Sequence, residues 1–318
     1  MKELIKALGL NKSGGPFMKD IIAALQEGCG TESVLLNEPM QYHTSFKTGG
    51  EADIFITPKS IEALTNAIRI LRQANTPYYI LGNGSNVLVS DKGIRGTVIQ
   101  IGRNMSEITV NENQIKVQAG ALLSSVAVTA FEHGLGGMEF ASGIPGSFGG
   151  AVCMNAGAYD GEMKDILSQV QVLTPELELI TLSSQELELG YRHSIIPEKS
   201  YLVVSGILTL QKGDKRQIQE KMASLAQQRR EKQPLNYPSA GSTFKRPEGY
   251  FAGKLIEDAG LKGYSIGGAQ VSEKHAGFII NKGNATTQDI LDLIAHCQKT
   301  VQEKFGVLLE TEVKIIGE

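Results

Sequence analysis

Three features that often declare a function are scarce in this 318-residue sequence. It has only three cysteines, Cys29, Cys153 and Cys297, and five histidines, all far apart. An odd, scattered set excludes a disulfide framework and offers no metal-ligand spacing. Cys297 continues the apolar face of Ile290, Ile294 and Val301, the position of a packed core thiol. No apolar run approaches the roughly 20 residues of a membrane span. The short Ala7-Leu-Gly-Leu10 segment behind Lys2 and Lys6 lacks the length and the small-residue cleavage pattern of a leader. There is no Lys/Arg block either: 31 basic and 34 acidic residues leave a formal net charge of −3, so neither nucleic acid nor a membrane is an expected partner. The cytoplasm is the expected compartment.

Glycine is in excess, with 36 residues against a usual share of ~7%. The excess concentrates between Gly134 and Gly161, inside an ordered pattern and not in a linker composition. A chain of this length divides into two or three domains. An amphipathic start and the Lys12-Ser-Gly-Gly-Pro16 break precede a short helix at Asp20–Glu27.

From Thr48 strand and helix alternate: a strand at Ala52–Thr57, a helix whose face carries Ile61, Leu64, Ile68 and Leu71, and a buried strand at Tyr78–Leu81. Strands follow at Thr97–Ile101 and Ile115–Ala119, with a helix around Leu122–His133. Val170–Leu173 and Leu179–Leu182 flank a Pro175 turn, and Tyr201–Leu210 is a further strand. The order is that of an α+β fold, not a regular doubly wound sheet. Lys215–Lys232 reads as a charged helix with Ile218, Met222 and Leu225 inward; helices near Phe251–Ala259 and Thr287–Phe305 and a last strand Leu308–Ile316 complete the chain. A domain boundary is expected near Gln211.

Two loops stand out, Leu81-Gly-Asn-Gly-Ser-Asn86 and Ser142-Gly-Ile-Pro-Gly-Ser-Phe-Gly-Gly-Ala-Val152. Residues with no side chain, or a short polar one, let backbone N–H groups close around a diphosphate. Neither loop has P-loop or dinucleotide-fingerprint spacing. The first, followed by the apolar Val87-Leu-Val89, is by itself the pattern of a tight hairpin. The second is too long for a simple turn, and Met154-Asn-Ala-Gly-Ala-Tyr159 extends it with a small-residue surface that can accept a flat ring. Close approach of backbone to a ligand is the better reading of the pair.

Gly-x-Gly-Ser-Asn and Gly-x-Pro-Gly-x-x-Gly-Gly, followed by Asn-Ala-Gly-Ala-Tyr, resemble the FAD-binding domain of the vanillyl-alcohol-oxidase-like flavoproteins, the PCMH type. Gly190-Tyr-Arg-His-Ser194, Ala240-Gly-Ser-Thr-Phe-Lys-Arg-Pro247 and Leu309-Glu-Thr-Glu-Val-Lys-Ile-Ile-Gly317 narrow the resemblance to the UDP-N-acetylenolpyruvoylglucosamine reductase family, from about Asn37 to Gly317. The resemblance implies an α+β chain: a lead-in over 1–47, a two-lobed FAD domain over 48–211, and a substrate domain over 212–318 whose last strand returns to the flavin. It implies FAD as carrier, NADPH as electron donor, and reduction of the enolpyruvyl ether of UDP-N-acetylglucosamine to UDP-N-acetylmuramate, in peptidoglycan precursor synthesis. No separate Rossmann domain is visible for the nicotinamide, so NADPH and substrate are expected to use one face in turn.

The site residues follow from that resemblance. For FAD they are Tyr79, Leu81, Gly82, Asn83, Gly84, Ser85 and Asn86, then Ser142, Gly143, Ile144, Pro145, Gly146, Ser147, Gly149, Gly150 and Ala151, with Tyr191 packing near the flavin. Arg192 aligns with the arginine that holds the substrate carboxylate and offsets the enolate charge. Glu312 aligns with the acid that helps polarise the enolate, and as a donor it needs a raised pKa. Ser242 corresponds to the proton donor, effective through placement and not through acidity. Lys232 and Arg246 match basic positions near the substrate diphosphate, and Asn155 and His275 match polar substrate-side positions. On the residues alone Arg192 also fits a surface ion pair, Ser242 a turn hydroxyl, and Glu312 a solvent-facing strand charge beside Glu310 and Lys314.

The chain departs from the longer branch of the family. Only about 20 residues separate Tyr191 from the helix near Lys215, which leaves no room for the tyrosine-bearing segment that folds over substrate there. Two other functions stay open at this point: a different flavin oxidoreductase acting on an alcohol or sugar, and a nucleotide-binding protein without turnover.

Overall fold

The structure, a computed structural model, describes residues 16–318; the amphipathic start and most of the glycine-proline break lie outside the described residues. Helix Pro16–Cys29, longer than the expected Asp20–Glu27, packs against helix Ile61–Gln73. Ser60 starts the second helix by accepting the Ala63 N–H on its hydroxyl. Leu64, Ala67, Ile68 and Leu71 form its buried stripe, the 3–4 spacing read from the sequence.

These helices cover a sheet ordered Val34–Pro39, Glu51–Ile56, Ile94–Gln100, Tyr78–Leu81. The first pairing is antiparallel and the other two are parallel. Tyr78–Leu81, expected to be buried, is an edge strand, and only Leu81 is buried in it. The loop after it is not a hairpin: Tyr78–Leu81 pairs with Ile94–Gln100, whereas Val87–Val89 pairs in parallel with Lys314–Ile316.

A second lobe is a five-stranded antiparallel sheet ordered Leu179–Ser183, Leu167–Leu173, Leu202–Thr209, Gln114–Gln118, Ile108–Asn111. Helix Leu123–Glu132 and a short helix, Phe148–Cys153, lie on it. The short helix is an addition to the expected elements: half of the second glycine loop winds into it. Gly206 makes room for it, since a Cβ there would stand 2.7 Å from Phe148 Cζ. One continuous core joins the two lobes.

Helix Lys215–Lys232, capped by Asp214 accepting from Gln217 N–H at 3.0 Å, buries Ile218 and Leu225. It packs on helix Leu123–Glu132 and the Glu139–Ala141 turn, and the preceding Gln211–Lys212 pairs with Leu135–Gly136. The change of core therefore comes after Lys232, not near Gln211. A separate C-terminal core forms between the sheet Ser265–Ile266, Ala269–Val271, Ile279–Asn281 and the helices Ala252–Asp258 and Thr287–Phe305. Cys297 is fully buried in it beside Ile290, Leu293 and Val301. Phe46 and Leu88 of the first lobe reach into this core.

The last strand is shorter than expected. Only Lys314–Ile316 is a strand, on Val87–Val89. The segment before it pairs elsewhere: Phe244 and Thr311 form a bridge, Lys245 N–H donates to the Glu310 carbonyl at 2.9 Å and Glu312 N–H to the Thr243 carbonyl at 2.8 Å. The chain changes partner between Glu312 and Lys314, crossing from the C-terminal unit to the first lobe.

Candidate active site

The two glycine loops meet. Asn83 Nδ2 donates to the Pro145 carbonyl at 2.6 Å, and a Cβ on Gly82 would stand 2.4 Å from Ser147 Oγ. Gly84 has a φ of 62°, and a Cβ there would lie 1.9 Å from the His43 carbonyl oxygen. Packing alone therefore requires Gly84, whereas at Gly82 the only close atom is a serine hydroxyl that can turn away. Gly146 and Gly150 differ: a Cβ on either would meet nothing in the protein closer than 3.5 Å, and both line a cavity.

That cavity, about 230 Å³, is walled by Leu81, Gly82, Asn83, Gly84, Ser85 and Asn86 on one side and Ile144, Gly146, Ser147, Gly149, Gly150 and Ala151 on the other. Ile101, Leu123 and Met154 make its apolar part, and Lys314 brings a cation to it. A larger cavity, about 650 Å³, adjoins it across Gly82, Asn83 and Ile101, and carries His43, Phe55, Arg103, Asn104 and Ser125 in its wall. Such a pair fits a dinucleotide: a small, largely apolar slot for a flat ring, a wider polar space for a nucleotide, and between them glycine backbone that lets phosphates approach. Cys153 lines the smaller cavity, and burial pushes its thiol up to about 11.

Four residues expected there are not in its wall. Tyr79 points outward from the edge strand. Ser142 spends its hydroxyl on the Glu139 carbonyl, at 2.8 Å, inside its own turn. Gly143 faces Arg229, whose Cδ would be 2.5 Å from a Cβ there. Pro145 contributes only the carbonyl that holds Asn83. Tyr191, also expected near the flavin, lines a different cavity.

This third cavity, about 390 Å³, brings together Arg192, Ser242 and Glu312 with Tyr191, Arg246 and His275. Arg192 lies on a tight turn in which Gly190 and His193 exchange backbone hydrogen bonds of 3.1 and 3.2 Å, and it takes a φ of 53°. Its Nε donates to Glu312 Oε1 at 2.7 Å, and the two side chains are 23% and 10% exposed. Burial raises the Glu312 carboxyl above its ordinary value, and the Arg192 charge opposes that shift without cancelling it. Asn86 Nδ2 donates to the Glu312 carbonyl at 3.1 Å, so the first glycine loop holds the backbone of the acid. Thr243, next to Ser242, is fixed as well: Ile279 N–H donates to its hydroxyl at 3.1 Å. Burial holds His275 below its ordinary value, and its Nδ1 accepts the Gly277 N–H at 3.1 Å, which leaves Nε2 as the ring donor.

Two expected substrate residues are elsewhere. Asn155 is fully buried, with its amide used inside the protein. Lys232 is exposed at the end of its helix and lines none of these cavities. One turn earlier, Arg229 is half-buried beside the second glycine loop; burial lowers its pKa, and among the described residues it has no acidic partner.

Sequence reasoning missed Phe251, Lys254 and Lys274 in the third cavity and Lys314 in the first. Phe251 is 63% exposed, and the Arg246 guanidinium carbon lies 3.9 Å from its ring centroid. No motif marks Phe251, Lys254 or Lys274; Lys314 lies within the Leu309–Gly317 motif but reads there as a solvent-facing strand charge. With Arg192 and Arg246, Lys254 and Lys274 set four cations against Glu257 and Glu312, a balance that suits an anionic ligand.

Comparison with known proteins gives consistent results. A family model described as UDP-N-acetylenolpyruvoylglucosamine reductase, C-terminal domain, matches residues 233–316, and one described as FAD binding domain matches residues 52–183. The UDP-N-acetylenolpyruvoylglucosamine reductase of Caldanaerobacter subterraneus subsp. tengcongensis is 55% identical over 298 residues, covering 94% of this chain and 98% of that protein. The Clostridium perfringens protein of the same name is 54% identical, with 92% and 96% covered. The crystal structure of UDP-N-acetylenolpyruvylglucosamine reductase from Thermus caldophilus superposes with a TM-score of 0.76 at 36% identity, covering 89% of this chain and 97% of that one. In fold alone, 4-ethylphenol oxidase from Gulosibacter chungangensis is similar, with a TM-score of 0.51 at 14% identity over 95% of this chain and 66% of that one.

Proposed function

The chain belongs to the UDP-N-acetylenolpyruvoylglucosamine reductase family of FAD-dependent oxidoreductases, and we propose that it reduces UDP-N-acetylglucosamine enolpyruvate to UDP-N-acetylmuramate with NADPH as donor, in the cytoplasm. The observation that carries this reading is the convergence of Arg192, Ser242 and Glu312 on one cation-rich cavity, tied through Asn86 to the glycine-lined one.

The two glycine loops would hold FAD, which would supply two-electron hydride chemistry between NADPH and the terminal vinyl carbon of the substrate. Negative charge then gathers at the carbon bearing the carboxylate. With its Nε committed to Glu312, Arg192 offers its two terminal nitrogens to that carboxylate and offsets the charge. Glu312 holds the guanidinium, and its raised pKa lets it share a proton with the developing enolate or with a water beside it. Ser242 gives its hydroxyl proton to the same carbon and recovers one from solvent, a role set by placement next to a strong base. Arg246, Lys254 and Lys274 offset the substrate diphosphate, and His275 offers an Nε2–H donor. Phe251, exposed at the rim, covers the substrate where the longer branch uses its tyrosine segment.

The test is spectroscopic. Flavin absorbance of the purified holoprotein is expected to bleach with NADPH under anaerobic conditions and to recover when the enolpyruvyl substrate is added, with UDP-N-acetylmuramate formed. Recovery with oxygen or an alcohol-derived product but not with the enolpyruvyl ether would replace this reading with another flavin oxidoreductase.

A further inference from the structure

Resting on the reductase reading above, we infer that Asn155 is a positioning residue for Arg192: its buried amide fastens the Gly190–His193 turn in the conformation that aims the guanidinium at Glu312. Asn155 is 0% exposed, with a left-handed φ of 43°. Its Nδ2 donates to the Gly190 carbonyl at 3.0 Å and to Glu162 Oε2 at 2.8 Å, and its Oδ1 accepts the Lys164 N–H at 2.9 Å. Only a primary amide supplies two donors and an acceptor at this size. A carboxylate of the same shape would face a carbonyl and another carboxylate with no proton to give.

The turn needs such an anchor. Arg192, with a φ of 53°, sits in a region that a branched-off-backbone side chain enters only when its surroundings hold it. The hold comes from three directions. Asn155 grips the Gly190 carbonyl, Ser194 Oγ donates to the Cys153 carbonyl at 2.7 Å just beyond the turn, and Tyr191 Oη accepts the Arg246 N–H at 3.0 Å from across the cavity. Residues 153–155 and 190–194 are thus stitched at two points. The Asn155 contact is the one made by the turn's own carbonyl. The Asn-Ala-Gly-Ala-Tyr run that signals a ligand surface in the sequence contributes its asparagine to the wall behind the catalytic arginine, not to the ligand.

The two half-reactions separate this role from a general structural one. In Asn155→Asp holoenzyme, reoxidation of reduced flavin by the enolpyruvyl substrate is expected to slow by about tenfold or more, the factor to which about 1.4 kcal/mol corresponds. Flavin content and the rate of bleaching by NADPH stay near wild type. Because Asn155 acts through Arg192, Asn155→Asp adds little to the loss already caused by Arg192→Gln. Should Asn155→Asp fail to fold, Glu162→Ala removes the acceptor that orients the same amide from a side chain 29% exposed, and a smaller loss confined to reoxidation is expected. An equal fall in both half-reactions, full additivity with Arg192→Gln, or unchanged reoxidation in a folded variant overturns the inference. If the wild-type protein itself is not reoxidised by the enolpyruvyl substrate, the reductase reading fails instead.

Discussion

Gly84 and Gly150 sit in matching loops for different reasons, and substitutions tell them apart. Gly84→Ala forces a Cβ against the His43 carbonyl at a positive φ, so it is expected to cost about 2 kcal/mol or more in chemical denaturation. Gly150→Ala should leave stability within about 0.5 kcal/mol and weaken flavin retention on dialysis, since its Cβ projects toward the cavity. Equal destabilisation by both would remove the distinction. Ser242→Ala is expected to keep flavin reduction by NADPH and stop productive reoxidation by substrate; a parallel loss of both would make the hydroxyl structural. Glu312 carries a pH signature. Its folded-state pKa lies above the ordinary carboxyl value, so its contribution to stability is full below the unfolded-state pKa and is lost as pH rises through the folded one. Reoxidation by substrate should accordingly titrate with an apparent pKa above the ordinary glutamate value, and that limb should vanish in Glu312→Gln.

Elements were legible where one face of a periodic segment meets one core. The 3–4 spacing of Leu64, Ile68 and Leu71, and of Ile290, Ile294, Cys297 and Val301, appears unchanged as the buried stripes of two helices. Elements whose identity depends on a distant partner were misread. Tyr78–Leu81 is apolar like a central strand but lies at an edge, and Leu308–Ile316 alternates like one strand but divides between two partners. Helix Thr287–Phe305 adds a device that spans the units. Besides its own Thr286/Asp289 capping box, its Thr287 and Gln288 N–H groups donate to the two oxygens of Asp91 at 2.8 and 3.0 Å. Asp91→Ala is expected to lower stability by about 1–2 kcal/mol, while Asp91→Asn, which keeps one acceptor, costs less. A neutral result in denaturant would mean that the capping box alone satisfies the helix.

At the scale of the molecule, the C-terminal unit is fastened to the first lobe by Lys314–Ile316 on Val87–Val89, by Asn281 Nδ2 donating to the Phe46 carbonyl at 3.1 Å, and by the Asp91 cap. Removing residues 314–318 is expected to loosen this joint: flavin is lost more readily, and protease cuts within 233–241 while the two lobes stay intact. Undiminished flavin content and an unchanged digestion pattern would show that the remaining contacts suffice.

Composition, glycine placement and six short motifs determined by themselves that this is an α+β flavoprotein of one reductase family. Those signals are local: a positive φ, a tight approach or a buried stripe leaves its mark on neighbouring residues. Which side chains line the cavities was decided only by the tertiary structure. Asn155 and Lys232 have the chemistry of ligand-binding residues, yet one is buried in the wall behind Arg192 and the other is turned to solvent. Phe251 and Lys274 lie outside the motifs and Lys314 reads as a solvent-facing strand charge, yet all three line the cavities. Burial and direction depend on what packs behind a side chain, and in this fold Arg192 and Glu312, 120 positions apart, meet at 2.7 Å across the junction between the second lobe and the C-terminal unit.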